Sequence, residues 1–309
     1  MNLDQLLLKT IELKASDLHL HIQQDNVQAR WRIAGRLTPR SSYTNGNTLA
    51  NRIKISAQLN IAEMRRIQEG QFNFSHNNHS YCIRVSVMCS DQGEKFALRI
   101  LTSSIKKPLN ELGINARALE TLKRTIEQPH GLVLVCGATG SGKTTTLYSC
   151  IDEINDGSRA IFTIEDPVEI PTETLYQFEP NPSLDISTHD LLKAFMRQDP
   201  DVIMVGEIRD AKTADLAIAA ALTGHLVFAT LHTNSALNVV HRCKNWNVDY
   251  FAFASTIKLI IHQCMDYHEG QQSPIFTTLK PQWQEKLPSC YDELIQNSAL
   301  WQQVDGESL

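Results

Sequence analysis

GLVLVCGATGSGKTTTLY, residues Gly131 to Tyr148, decides the fold class of this 309-residue chain. Leu132 to Cys136 is a short, wholly apolar run, the pattern of a strand buried on both faces. A glycine-rich turn follows, and Lys143 opens a segment of good helix formers. Strand, glycine loop, helix is the order a phosphate-binding loop requires. Gly137, Gly140 and Gly142 lack a β-carbon, so the backbone N–H groups from Gly137 through Ala138, Thr139, Gly140, Ser141 and Gly142 can turn inward on a phosphate. The helix N-terminus adds its partial positive charge. In this reading Lys143 reaches the β- and γ-phosphates, Thr144 ligates Mg²⁺ and Thr145 completes the binding set. An ordinary Gly/Ser loop is the alternative, and the full match in its strand-loop-helix context argues against it. The expected ligands are a nucleoside triphosphate and Mg²⁺.

Working outward, hydrophobic residues make up 42% of the chain, enough for a large core divided between two domains. The net charge of -5 gives no reason to expect direct nucleic-acid binding. Its distribution is uneven: residues 1–107 hold 15 Lys and Arg against 8 Asp and Glu, and residues 108–309 hold 14 against 26. A basic first domain beside an acidic second one suits domain or subunit contacts, or a membrane- or DNA-facing patch; solvated faces of no special role are the plainer reading. No apolar run approaches the ~20 residues needed to cross a bilayer, and no basic segment followed by a long apolar stretch opens the chain. The expected location is cytoplasmic, at most peripheral to a membrane. The seven cysteines form no CxxC pair, which fits reduced thiols better than a disulfide or zinc framework.

Before the loop, Leu3 to Leu13 has helical spacing, and Ala15 to His21 and Val27 to Ile33 alternate as strands, with Ala34-Gly35 turning into Arg36-Leu37. Leu49 to Leu59 reads as a helix, and Tyr81 to Met88 and Lys95 to Leu101 as strands. Residues 1–101 are therefore expected to form a small α+β domain, with a linker over 102–110. Beyond the loop, Ala160 to Ile164, Asp201 to Val205 and Leu226 to Leu231 are further buried strands, and Thr188 opens a helix. That alternation predicts a parallel sheet covered by helices over 111–265. Residues 266–309 read as a polar, glutamine-rich end with isolated Trp283 and Trp301.

In open α/β sheets ligands sit beyond the carboxyl ends of the strands. Glu165, Glu207 and His232 each follow a strand, so they are expected to gather with Lys143. Either glutamate can meet the metal or the attacking water, although acidic residues at strand ends also cap helices. His225 and His232 bracket one strand and are expected on the phosphate-facing edge; structural histidines are the alternative.

Four segments then resemble the secretion ATPases that drive type II secretion pseudopili and type IV pili. Gly137 to Tyr148 matches their Walker A, and Ile161 to Glu169, IFTIEDPVE, their aspartate box. Arg197 to Asp210, RQDPDVIMVGEIRD, is similar to their Walker B, and Thr223 to Asn234, TGHLVFATLHTN, to their histidine box. The resemblance implies a RecA-like ATPase domain preceded by a smaller PAS-like domain, assembled as a ring hexamer with nucleotide between the domains. It further implies that Glu165 orients water, that Glu207 acts through Mg²⁺, and that His225 and His232 sense nucleotide. Arg84 and Arg99 match arginines that the family's N-terminal domain sends to the nucleotide. The implied work is pilus or pseudopilus assembly against an inner-membrane platform protein, with a retraction motor or a weakly hydrolysing scaffold as alternatives. Four residues depart from the pattern: Ala138 replaces a proline, Lys212 a glutamate, and Cys264-Met265 an Arg-Leu pair. The tetracysteine zinc motif of many relatives is absent.

Overall fold

The computed structural model describes residues 2–63, 65–77, 79–102, 107–181, 184–268, 271–283 and 287–305. The chain divides into two compact units, Met1–Ile105 and Lys106–Leu309. Residues 103–106 of the expected linker lie outside the described residues.

The first unit runs α1 (Leu3–Glu12), β1 (Asp17–Gln23), β2 (Asn26–Ile33), β3 (Arg36–Leu37), β4 (Ser41–Tyr43), α2 (Gly46–Ser56), β5 (Gln68–His76), β6 (His79–Ser90) and β7 (Gly93–Thr102). Its antiparallel sheet has the order β3-β2-β1-β7-β6-β5, with β4 also paired to β2. The period of two sorts its side chains between faces. Leu18, Leu20 and Ile22 of β1, Val27, Ala29 and Trp31 of β2, and Ile83, Val85 and Val87 of β6 enter one core with Leu6, Leu7 and Ile53 of the helices. Asp17, His19, His21, Arg30, Arg32, Lys95 and Arg99 occupy the alternate positions, on the opposite face. Only β4 and β5 had no counterpart in the sequence reading; β5 alternates polar and half-buried residues and carries a weak apolar signal.

The second unit contains α3 (Ala116–Ile126), β8 (Gly131–Cys136), α4 (Lys143–Ile154), β9 (Ile161–Ile164), β10 (Tyr176–Phe178), α5 (Thr188–Phe195), β11 (Val202–Val205), α6 (Ala211–Leu222), β12 (Leu226–Leu231), α7 (Leu237–Asn245), α8 (Tyr250–Thr256), β13 (Ile257–His268), β14 (Gln271–Pro281), α9 (Tyr291–Gln296) and β15 (Trp301–Asp305). The sheet order is β10-β9-β11-β12-β8-β13-β14-β15, parallel through β13 and antiparallel beyond it. Every residue of β8, β9, β11 and β12 is buried. Leu132, Leu134 and Cys136 enter the core with α5, α6 and α7, whereas Val133 and Val135 enter the core with α3 and α4. Helices on both faces explain why these strands read as continuous apolar runs.

The tryptophans near the end of the chain are not isolated. Trp283 and Trp301 meet edge to face at 5.0 Å, their ring nitrogens donate to Ala254 O and Leu294 O, and Trp301 is buried. Residues from β14 to β15 thus extend the sheet, a long-range arrangement that local polarity concealed.

Candidate nucleotide site

The parallel register puts the carboxyl ends of four strands side by side. Cys136 of β8 lies opposite Leu231 of β12, Ala229 opposite Val205 of β11, and Val205 opposite Ile164 of β9. The residues that follow therefore share one edge: Gly137, His232, Gly206-Glu207 and Glu165.

Two glycines are dictated by their surroundings. A β-carbon on Gly137 (φ +149°) would stand 2.1 Å from the Gln263 carbonyl oxygen, and one on Gly142 (φ +87°) 2.7 Å from Gln263 Nε2. Strand β13 thus closes on the loop from behind, and Thr146 donates to Gln263 Oε1 at 2.7 Å. Lys143 is buried; its ammonium donates to the Gly137 and Ala138 carbonyls, each at 2.9 Å. Burial pushes its pKa down, while Glu207 and the Cys136 thiol push it up. Ser141 Oγ is buried with no hydrogen-bond partner among the described residues. A tight backbone turn, a buried cation held only by neutral carbonyls, and an orphaned hydroxyl fit a polyphosphate. Thr144 follows, half-buried, in the first turn of α4.

Glu165 is 4% exposed and belongs to a closed hydrogen-bond cluster. Tyr148 OH donates to Oε2 at 2.6 Å, Thr163 Oγ1 to Oε1 at 2.6 Å, and Gln177 Nε2 to Oε1 at 3.2 Å. Gln177 also donates to Tyr148 OH and to the Ile170 carbonyl. Burial and then Glu165 push the Tyr148 pKa up, so its proton stays in the bond to the carboxylate. Glu207 instead is partly open to solvent: the Arg209 guanidinium reaches it at 3.0 Å and His232 Nε2 lies 3.2 Å from it. Arg209 also pairs with Asp166 at 3.3 Å, linking the aspartate-box and Walker B segments.

His232 therefore joins the site, and His225 does not share that edge. The Gly131 amide donates to the His225 carbonyl, at the amino end of β12, and His225 Nδ1 lies 2.8 Å from Ala220 O. Six strand residues separate the two histidines, roughly 20 Å at 3.3 Å per residue. The expectation of a common phosphate-facing edge is corrected for His225, because residues bracketing a strand sit at its opposite ends. Arg84 and Arg99 are cross-strand neighbours in the first unit, where Arg84 pairs with Glu69 at 3.6 Å and Arg99 with Asp17 at 2.8 Å. Lys212 is exposed on α6.

Sequence reasoning missed Tyr148, Thr163, Gln177, Arg209 and Gln263. Spacing held a signal for two of them: Tyr148 is one helical turn beyond Thr144, and Thr163 is two strand residues before Glu165. Gln177 and Gln263 arrive on separate strands and had none.

The family described as type II/IV secretion system protein matches residues 1–284. The type II secretion system ATPase E of Vibrio cholerae is 39% identical over 258 residues, covering 82% of this chain and 51% of that protein. Type II secretion system protein E of Dickeya dadantii is 40% identical over 267 residues, covering 84% and 53%. The chain spans about half the length of these relatives. Among solved structures, the pilus retraction motor PilT with bound ADP superposes with a TM-score of 0.74 at 28% identity, over 96% of this chain and 87% of that one. The Legionella pneumophila ATPase DotB superposes at 0.75 over 96% and 86%; at 23% identity it shares the fold.

Proposed function

The chain belongs to the type II/IV secretion system protein family, and from that premise we propose that it is an ATP-hydrolysing motor powering assembly of a type II secretion pseudopilus or type IV pilus. The observation that carries the proposal is the cluster at one sheet edge: a buried Lys143 on a glycine loop, with Glu207, His232 and Glu165 on the adjoining strand ends. The second unit is read as RecA-like and the first as PAS-like.

In this mechanism the loop amides and Lys143 bind the triphosphate and hold negative charge as it develops. Thr144 and Glu207, the latter directly or through water, would hold Mg²⁺, which would supply neutralising charge to the triphosphate. Glu165 orients the attacking water, and Tyr148, Thr163 and Gln177 fix the carboxylate that does so. His232 and Arg209 hold Glu207 in place. Arg84 and Arg99 supply positive charge to the nucleotide in a ring hexamer that works against an inner-membrane platform protein. Relatives at 39–40% identity are named for type II secretion, whereas the retraction motor shares 28%, which favours assembly over retraction.

The test is steady-state ATPase rate against protein concentration, with size measured beside it. Lys143→Ala should lose nucleotide binding; Glu165→Gln should keep binding and lose turnover by about 10²-fold or more. Equal, near-background rates in wild type and Glu165→Gln would replace the motor with a nucleotide-binding scaffold.

A further inference from the structure

The first unit carries a second cluster of cations that the nucleotide site does not use. On the open face of its sheet, β1, β2, β3, β6 and β7 and the segment after β3 line a half-open cavity of about 400 Å³. Arg30, Arg32, Arg40 and Lys95 line it together with His19 and His21. Their placement follows from register: His19 lies opposite Arg30 across β2, and His21 opposite Lys95 across β7.

Charge here is pinned but hardly neutralised. Arg30 Nε donates to Thr38 O at 2.9 Å, and Arg40 donates to Gln28 Oε1 at 3.1 Å. Both acceptors are neutral and fix the guanidinium groups without cancelling them. Arg32 donates to Gly35 O at 3.0 Å and comes no nearer than 3.8 Å to Asp17, whose other oxygen is taken by Arg99. Among the described residues, Arg30, Arg40 and Lys95 form no ion pair. His19 Nε2 is buried in the same place without a hydrogen-bond partner. Burial holds the His19 ring below its ordinary pKa; Asp17 pushes it up, and Arg32, Lys95 and Arg99 push it further down.

Arg30 on β2 and Lys95 on β7 flank β1, so the face gathers like charges that an anion seated between them would offset. A singly charged carboxylate leaves most of the charge uncompensated, whereas a phosphate or pyrophosphate matches it and takes the forked geometry of arginine. The volume lies near the lower end for small-molecule sites. Leu37 of β3 and Met88 of β6 are partly exposed apolar residues at opposite edges of the lining, Met88 directly beside Lys95. We propose that this cavity is a binding site for a small phosphate-bearing ligand of nucleotide size, with its phosphate among Arg30, Arg40 and Lys95 and its planar or apolar part against Met88.

The test is a titration of the full chain carrying Lys143→Ala, which removes the loop site, with inorganic pyrophosphate and with AMP. Imidazole NMR signals of His19 and His21 are the readout. Saturable shifts are expected with a Kd below about 1 mM, together with a rise in the His19 pKa. Arg30→Gln combined with Lys95→Gln should weaken both ligands at least tenfold. Met88→Ala should leave pyrophosphate unchanged and weaken AMP about threefold, which separates a nucleotide site from a simple phosphate site. Absence of any shift in the otherwise intact chain overturns the proposal. So does a single-stranded oligonucleotide that binds more than tenfold tighter than AMP with a steep salt dependence, which would make the face a nucleic-acid groove.

Discussion

Tyr148→Phe removes one oxygen from the Glu165 cluster and keeps the ring, so no cavity opens. The deleted hydroxyl supplies the hydrogen bond to Glu165 Oε2 at 2.6 Å and accepts one from Gln177 at 2.9 Å. Oε1 retains Thr163 and Gln177, and Gln177 retains the Ile170 carbonyl, whereas Oε2 has no other partner among the described residues. A hydrogen bond to a charged group contributes about 1.5–3 kcal/mol. Glu165 is 4% exposed and its Oε2 is left without a protein partner, so the upper part of that range applies, roughly 2–3 kcal/mol. In a Glu165→Gln background the acceptor is neutral and the same deletion should cost about 1 kcal/mol, giving a coupling of roughly 1–2 kcal/mol. Urea unfolding measures it, with Trp246, Trp283 and Trp301 reporting on the second unit and Trp31 on the first. On the proposed mechanism kcat should fall by about tenfold or more, with KM for ATP within roughly twofold. A stability change under about 0.5 kcal/mol with unaltered kcat would refute the idea that this hydroxyl positions the carboxylate.

Gly137→Ala sets a methyl 2.1 Å from a backbone oxygen at a positive φ; it should destabilise the second unit by roughly 1–3 kcal/mol and abolish nucleotide binding, read by thermal melting with and without ATP. In Asp17, burial pushes the pKa up, but hydrogen bonds from Arg99 and Ser16 outweigh it and hold the carboxyl below its ordinary value. Its contribution is therefore fully present above the unfolded value near 3.9 and lost as pH falls through the folded one. Asp17→Asn should weaken the first unit at pH 7, and its deficit against wild type should close below about pH 4 in urea melts followed by Trp31. Burial pushes Cys136, Cys150 and Cys243 up to about 12, while Cys290 is exposed. Thiol titration of the native protein should label Cys290 promptly and those three only after unfolding; rapid labelling of Cys136 would contradict the packing of β8 against β12.

The parts most legible in the sequence were those where one local pattern has one physical solution. A five-residue apolar run before a glycine loop folds as a buried strand, and each such run here did so within a residue or two of its expected bounds. Beyond Gln263 the reading weakened, because β14, α9 and β15 are stabilised by contacts that alternation and composition do not encode. Trp283 and Trp301 are far apart in the chain and packed in the fold. The same limit applied at the site. Lys143 and the glycines announce themselves through spacing, while Gln177 reaches Glu165 only because β10 pairs in parallel with β9 and puts Gln177 opposite Thr163.

The sequence by itself determined the phosphate loop, the buried strands and the acidic residues that follow them, since steric freedom at glycine and burial of apolar runs are local requirements. Tertiary structure decided which of those residues meet. Parallel register carried His232 to Glu207 and left His225 at the far end of β12, and three side chains closed around Glu165 while Glu207 stayed partly open beside Arg209 and His232. The reason is geometric: strand ends become neighbours through pairing between distant segments, and no interval along the chain records which end of a strand faces the loop.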